Sequence, residues 1–231
     1  LEPVANYFIQ HSIWWIATLG LDGIRIDTYP YSGRTFMDRW TCAISDCFPN
    51  VLLSGEETSI NPIVTSQIQA GSPLSSGGCL QSILDFPLQY AIDNALNKPE
   101  RWNTGLAELY QMLANDMVYG KAQDLITFID NHDMDRALRK LGGDTAKLKM
   151  ALAILYTTRG IPQLFYGTEY AFSNEQHDHH GQIRQDMPFF NESASSERYS
   201  TNYVYAYIQQ FDEWRKAADA IQKGGLKHYK P

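Results

Sequence analysis

Five short apolar runs, each closing on a polar group and each followed by helical spacing, constrain this chain more than any other feature. They are Gly23–Asp27, Val51–Gly55, Ser82–Phe86, Leu125–Asp130 and Gln163–Tyr166. Runs this short and apolar suit strands buried in a parallel sheet. Between them the period changes to that of a helix. "SGRTFMDRWTCAISDCF" repeats apolar residues at Phe36, Trp40, Ala43, Ile44 and Cys47, and "TGLAELYQMLANDMVY" does so at Leu106, Leu109, Leu113 and Met117. "DTAKLKMALAILYTTRG" offers Asp144 as an N-cap and Gly160 as a stop. "NYFIQHSIWWIATLG" predicts an opening helix ended by Gly20, and "STNYVYAYIQQFDEWRKAADAI" a long final one. Strand followed by helix, five times over, predicts βα units and a parallel sheet.

The spacing is regular at first. Asp27 to Glu56 is 29 positions, and Glu56 to Asp85 is again 29. A closed barrel of eight such units typically takes about 250 residues, and five units with a leading helix already fill these 231 residues. No internal linker or sequence repeat marks a second domain. The polar stretch Phe172–Thr201 has no clear period and reads as a binding loop.

Bulk properties exclude several classes. The formal charge of −7, with no Lys/Arg block, argues against a general nucleic-acid binder. No transmembrane run and no signal peptide is visible. Aromatic residues make up 13% of the chain, which suits sugar stacking and suits an ordinary core equally. The three cysteines, Cys42, Cys47 and Cys79, leave one over in any pairing and lack zinc-site spacing, so buried free thiols are expected.

The chemistry lies at the strand ends. "GIRID" ends on Asp27, "VLLSGEE" on Glu56 and Glu57, and "SILDF" carries Asp85. "LITFIDNHD" ends with Asp130, His132 and Asp133, and "PQLFYGTE" with Tyr166 and Glu169. In a parallel barrel the C-terminal strand ends point to one rim, where active sites sit. One such carboxylate is commonly a helix cap or half of an ion pair, but a polar end on five successive strands points to convergence. Several carboxylates with an arginine and a histidine, and no metal motif, phosphate loop or serine elbow, fit glycoside hydrolysis. One carboxylate attacks the anomeric carbon and a second, protonated, donates to the leaving oxygen.

The stretches "GIRIDTYPY", "LLSGEETS", "FIDNHDMDR" and "GIPQLFYGTE" together resemble the α-amylase family of glycoside hydrolases. Within it they are most similar to the cyclomaltodextrinase and neopullulanase group of Bacteroidetes type. The resemblance runs from the helix before the fourth barrel strand to the helix after the eighth. It implies the C-terminal part of a (β/α)8 barrel, an incomplete α/β barrel of about five parallel strands. Residues 1–231 would be one partial catalytic domain, with the family's inserted domain and C-terminal β-domain absent. Asp27 would be the nucleophile, Glu56 the general acid/base and Asp133 the third carboxylate that grips sugar hydroxyls. His132 would bind the same sugar. Arg25, on the same strand face as Asp27, would keep a buried nucleophile ionised, while limited solvent and neighbouring anions would raise the pKa of Glu56. Glu57 falls on the opposite face by strand alternation.

Departures from the family pattern are local. Lys-His often follows the nucleophile, and here Pro30 and Tyr31 stand there, so Tyr31 is a candidate for stacking on the leaving sugar. Arg184 resembles a family arginine that contacts a more distant sugar, but His180 replaces the aspartate usual four residues before it. "HDHH" at 177–180 lacks fixed metal-ligand spacing and reads as a solvated loop. The resemblance implies an α-glucan oligosaccharide as partner, no nucleic acid, no membrane insertion, no organic cofactor and a structural calcium ion in a longer form of the protein. It suggests a periplasmic glucan-use system, with a cytoplasmic one left open. Open strand edges predict instability or self-association of the chain alone. Hydrolysis, transglycosylation through the same intermediate, and weak glucan binding without turnover all remain open at this point.

Overall fold

The computed structural model of the chain describes residues 2–75, 77–187 and 203–227. The elements run α1 (Glu2–Leu19), β1 (Gly23–Ile26), α2 (Arg34–Cys47), β2 (Leu52–Gly55), α3 (Pro62–Ser66), β3 (Ser82–Ile83), α4 (Phe86–Asn97), α5 (Leu106–Leu113), β4 (Ile126–Thr127), α6 (Ala137–Lys140), α7 (Thr145–Thr157), β5 (Ile161–Pro162), α8 (His180–Ile183), α9 (Tyr203–Ala217) and α10 (Asp219–Lys223). The chain forms two compact units. One holds residues 1–87 and 114–126, the other 88–113 and 127–231.

In the first unit β1, β2 and β3 pair in parallel, in that order. The register sets Arg25 against Ser54, Ile26 against Gly55, and Gly55 against Ile83. A parallel bridge from Leu84 to Ile126 extends the ladder. The core beneath this sheet is closed by Ile44, Leu53, Leu80, Ile83 and Leu125, all fully buried. Gly55 is needed where it stands, since a Cβ there would lie 2.9 Å from Leu80 Cδ2 and 3.1 Å from the Tyr29 ring. Gly20 ends α1 as expected, in left-handed backbone at φ +63°, with its N–H on the Ile16 carbonyl at 2.8 Å.

The expectation of three buried free thiols is overturned here. Cys42 on α2 and Cys79 ahead of β3 form a disulfide, and Cys47 is free but exposed. Counting cysteines shows only that one must be left over. It does not reveal that α2 and the approach to β3 lie side by side, joined also by the Cys79 N–H on Thr41 Oγ1 at 3.1 Å.

The second unit packs α4, α5, α7 and α9 around Leu88, Ile92, Leu148, Leu152 and Leu155. Asp144 caps α7 as expected, its carboxylate accepting from Ala146 N at 2.8 Å and Lys147 N at 3.2 Å. Three expectations shift. The fifth strand lies at Ile161–Pro162, ahead of the expected run, though Gln163 N still donates to Thr127 O at 2.7 Å. Helix α5 stops at Leu113 and passes into a 3₁₀ turn at Ala114–Val118, where Asn115 and Asp116 compete with the helix for backbone hydrogen bonds. The final helix breaks at Ala218, and its expected start at Ser200–Asn202 lies outside the described residues. Helix α4 was not expected at all, because Pro87 and the preceding strand signal masked it. Its apolar positions Leu88, Ala91, Ile92, Ala95 and Leu96 do carry helical spacing. No described helix is long and apolar enough to cross a membrane.

Candidate active site

In the first unit three of the expected residues meet. Arg25 leaves the end of β1 and its Nη1 pairs with Asp27 Oδ1. Its Nη2 donates to Glu56 Oε1 at 2.6 Å. The parallel register explains the meeting, since Glu56 N donates to Ile26 O at 2.9 Å and brings the end of β2 level with the end of β1. The Glu56 side chain is 5% exposed, and its Oε2 accepts from Thr28 N at 3.1 Å. Thr28 can aim that N–H because it sits in left-handed backbone, φ 44°.

One expectation about this cluster is corrected. Asp27 is not buried: its side chain is 67% exposed. Among the described residues β1 is the edge of its sheet. Arg25 sits beside Asp27 as expected, and the same guanidinium also holds Glu56. Glu57 turns the other way, its Oε1 accepting from Ser59 N at 3.0 Å. Tyr31 ends a 3₁₀ turn over Tyr29–Tyr31 and is 83% exposed, available to stack. Beneath the turn Tyr29 is buried, and burial with Asp38 nearby pushes its phenol up to about 12. A cavity of about 230 Å³ opens there, lined in part by Pro30, Arg34 and Glu57.

The second unit gathers the others. Arg184 Nη2 pairs with Asp133 Oδ1 at 2.6 Å, and its Nε donates to the His132 carbonyl at 2.9 Å. His132 Nε2 lies 3.0 Å from Asp133 Oδ2. Asn131 Oδ1 accepts from Asp133 N at 2.9 Å and shapes the loop. Arg184 thus meets Asp133 itself, which the resemblance did not imply. The 172–201 loop expectation divides: residues up to 187 are ordered by local hydrogen bonds, and 188–201 lie outside the described residues.

Sequence reasoning passed over what supports this loop. Asp130 is buried, and its carboxylate accepts from Ala137 N at 2.9 Å and from Thr168 Oγ1 at 3.0 and 3.1 Å. Burial raises its pKa, against the lowering effect of those partners and of Lys140 and Arg136. Arg136 is fully buried, 4.0 Å over the Phe165 ring, and donates to Tyr166 O at 2.6 Å. Burial lowers its pKa, opposed chiefly by Asp130. The available signal was the opposite charges Asp130 and Arg136 on either side of "NHDMD".

"HDHH" separates into distinct roles. His177 meets Asp135, His179 Nδ1 accepts from Gln182 N at 3.2 Å at the start of α8, and His180 opens that helix. Asp135, His177 and Asp178 are the one group among the described residues placed to share an ion. An imidazole in the set and Arg139 at 3.4 Å from Asp135 do not match the all-oxygen shell that calcium takes. No step is assigned to a metal here.

The chain matches the α-amylase catalytic-domain family over residues 2–218. It belongs to that family. It is 28% identical over 228 residues to a cyclomaltodextrin glucanotransferase of Geobacillus stearothermophilus, covering 96% of this chain and 29% of that protein. It is 26% identical over 248 residues to an α-amylase of Niallia circulans, covering 99% and 45%. The α-amylase of Geobacillus thermoleovorans, solved with acarbose, superposes with a TM-score of 0.78 at 22% identity over 96% of this chain and 46% of that one. The chain therefore spans less than half the length of these relatives. Its fold is that of part of an α-amylase catalytic domain, a partial (β/α)8 barrel, with no closed barrel among the described residues.

Proposed function

We propose that this α-amylase-family chain carries the reaction centre of a retaining glycoside hydrolase. The substrates would be α-1,4-linked glucans: cyclodextrins, maltooligosaccharides, or pullulan- and starch-like chains. The observation that carries the reading is the shared guanidinium, with Arg25 donating to both Asp27 and Glu56. Two carboxylates on the two nitrogens of one arginine suit the retaining geometry, which calls for a separation of about 5–5.5 Å.

Asp27, exposed and paired, attacks the anomeric carbon and forms the glycosyl-enzyme. Glu56 protonates the departing glycosidic oxygen, then takes a proton from the incoming water as the ester is cleaved. Both oxygens of Glu56 accept hydrogen bonds in the resting site. A protonated carboxyl keeps acceptor capacity beside its one O–H donor, so Glu56 can turn its O–H to the glycosidic oxygen while Arg25 and the Thr28 N–H stay in place. Asp133 and His132 hold sugar hydroxyls, and Arg184 takes part through Asp133. Tyr31 stacks on the leaving sugar in place of the Lys-His pair.

Transfer to a sugar acceptor is the second reading, supported by relatives named glucanotransferases. The test uses a 2-deoxy-2-fluoro-α-maltosyl fluoride with the intact enzyme. A mass increment confined to the Asp27 peptide, absent in Asp27→Asn, is expected. Labelling elsewhere, or full turnover by Asp27→Asn, rejects the nucleophile assignment. Products at high substrate concentration separate hydrolysis from transfer.

A further inference from the structure

We propose that Asp135 is a positioning residue: it clamps the segment of residues 174–184 to the loop of residues 131–139 and so holds Arg184 on Asp133. The inference rests on the reading of His132 and Asp133 as sugar-binding groups, and deepens it.

The clamp is visible atom by atom. The Asp135 side chain is 8% exposed, and both its oxygens are occupied. Oδ1 accepts from Asn174 Nδ2 at 2.6 Å and from Asp178 N at 3.0 Å. Oδ2 faces His177 Nδ1 and, at 3.4 Å, Arg139 Nε. Arg139 adds a second tie, its Nη1 donating to the Asn174 carbonyl at 2.9 Å and to the Glu175 carbonyl. The clamped segment is then joined to its own far end: Gln182 Oε1 accepts from Glu175 N and Gln176 N, each at 2.8 Å. Arg184 follows two residues later, closing α8 with its N–H on His180 O at 2.9 Å. Asp133 and Asp135 are two residues apart on one loop, and the groups they hold lie on one connected segment. A closed ring of contacts therefore runs through Asp133, Asp135, Asn174, Gln182 and Arg184. Asp135 is the buried carboxylate of that ring, beside the Arg139 ties and the Arg136 N–H on Asn174 Oδ1 at 2.9 Å, and losing its charge loosens the hold of Arg184 on Asp133.

The clamp is sensitive to pH. The hydrogen bond and charge of Asp135 raise the His177 pKa, Asp178 adds to this, and Arg139 opposes it. Asp135 is pushed up by burial, but His177, Asn174 and the Asp178 N–H outweigh that and hold it below the usual range. These are the charged groups facing His177. A raised histidine pKa means the attraction is complete below about 6.5 and is lost as pH rises through the folded-state value. A lowered aspartate pKa means it is lost again at strongly acid pH.

Asp135→Asn removes the charged half of the clamp, since its NH₂ cannot accept from His177 or Arg139 while its amide oxygen still serves Asn174 and Asp178 N. In the intact enzyme, the His177 ring signal is expected to titrate above 6.5, and back at the ordinary value in Asp135→Asn. For maltooligosaccharide cleavage, Asp135→Asn and His177→Gln are each expected to raise KM about two- to fivefold with little change in kcat. The KM advantage of wild type over Asp135→Asn should fade at alkaline pH. Arg184→Ala added to Asp135→Asn should cost nothing more. An ordinary His177 titration, additive double mutants, or a KM difference indifferent to pH overturns the proposal. The titration stands apart from catalysis, so a failure of the hydrolase reading, shown by an active Asp27→Asn, is told apart from a failure of the clamp.

Discussion

The two units each hold an arginine on a candidate site carboxylate, at the same 2.6 Å, in very different surroundings. Glu56 is 5% exposed and has a backbone N–H as its second donor, whereas Asp133 is 45% exposed and shares its charge with His132. Equal distances do not mean equal consequences. A desolvated carboxylate depends on its partner, because losing one leaves a buried acceptor unsatisfied. An exposed pair is screened by water and contributes little to stability. The first unit's arrangement is therefore structural and chemical together, while the second unit's is chiefly a matter of aim. The first unit is also stapled by Cys42–Cys79, and the second carries no disulfide among its described residues.

The largest test of this contrast is reduction. The disulfide closes a sequence separation of 37 residues, and its loss is expected to cost about 2–4 kcal/mol. Cys42→Ser with Cys79→Ser should speed amide exchange in α2 and leave α7 unchanged. Equal acceleration in both would break the contrast.

Arg25→Ala comes next. It strips the buried Glu56 of its strongest donor, at a cost of about 1–3 kcal/mol. A urea midpoint unchanged from wild type would show that water replaces the guanidinium, and that Glu56 is wetter than its burial implies. Asp144→Ala removes a cap with two backbone partners and should cost about 1 kcal/mol. Its effect belongs to α7 alone, which exchange rates resolve helix by helix. Arg184→Ala is smallest in stability, within about 0.2–1 kcal/mol for an exposed pair. Yet it should weaken glucan binding, measurable as a raised KM. A large loss of stability instead would show that the Arg184–Asp133 pair supports the fold as well as the site.

Much of the fold was readable from local pattern. Asp144 announced the start of α7 and Gly20 the end of α1, because caps act through neighbouring backbone groups only. Helix α4 was missed because Pro87 follows directly on an apolar run that reads as strand. Of the site, the candidate residues could be named from four motifs, and alternation separated Glu56 from Glu57. Partners far apart along the chain could not be read. Nothing local joins Cys42 to Cys79, Asp135 to His177 or Arg184 to Asp133.

The sequence by itself determined most of the elements and the caps that bound them, since period, caps and turn residues act over a few positions. It placed Arg25 and Asp27 on one face of one strand. Only the tertiary structure decided that the same arginine also holds Glu56, because that depends on the parallel register of β1 with β2. It also decided that Glu56 is buried while Asp27 stands in solvent. Burial depends on what packs over an atom, and that is set by elements far apart along the chain.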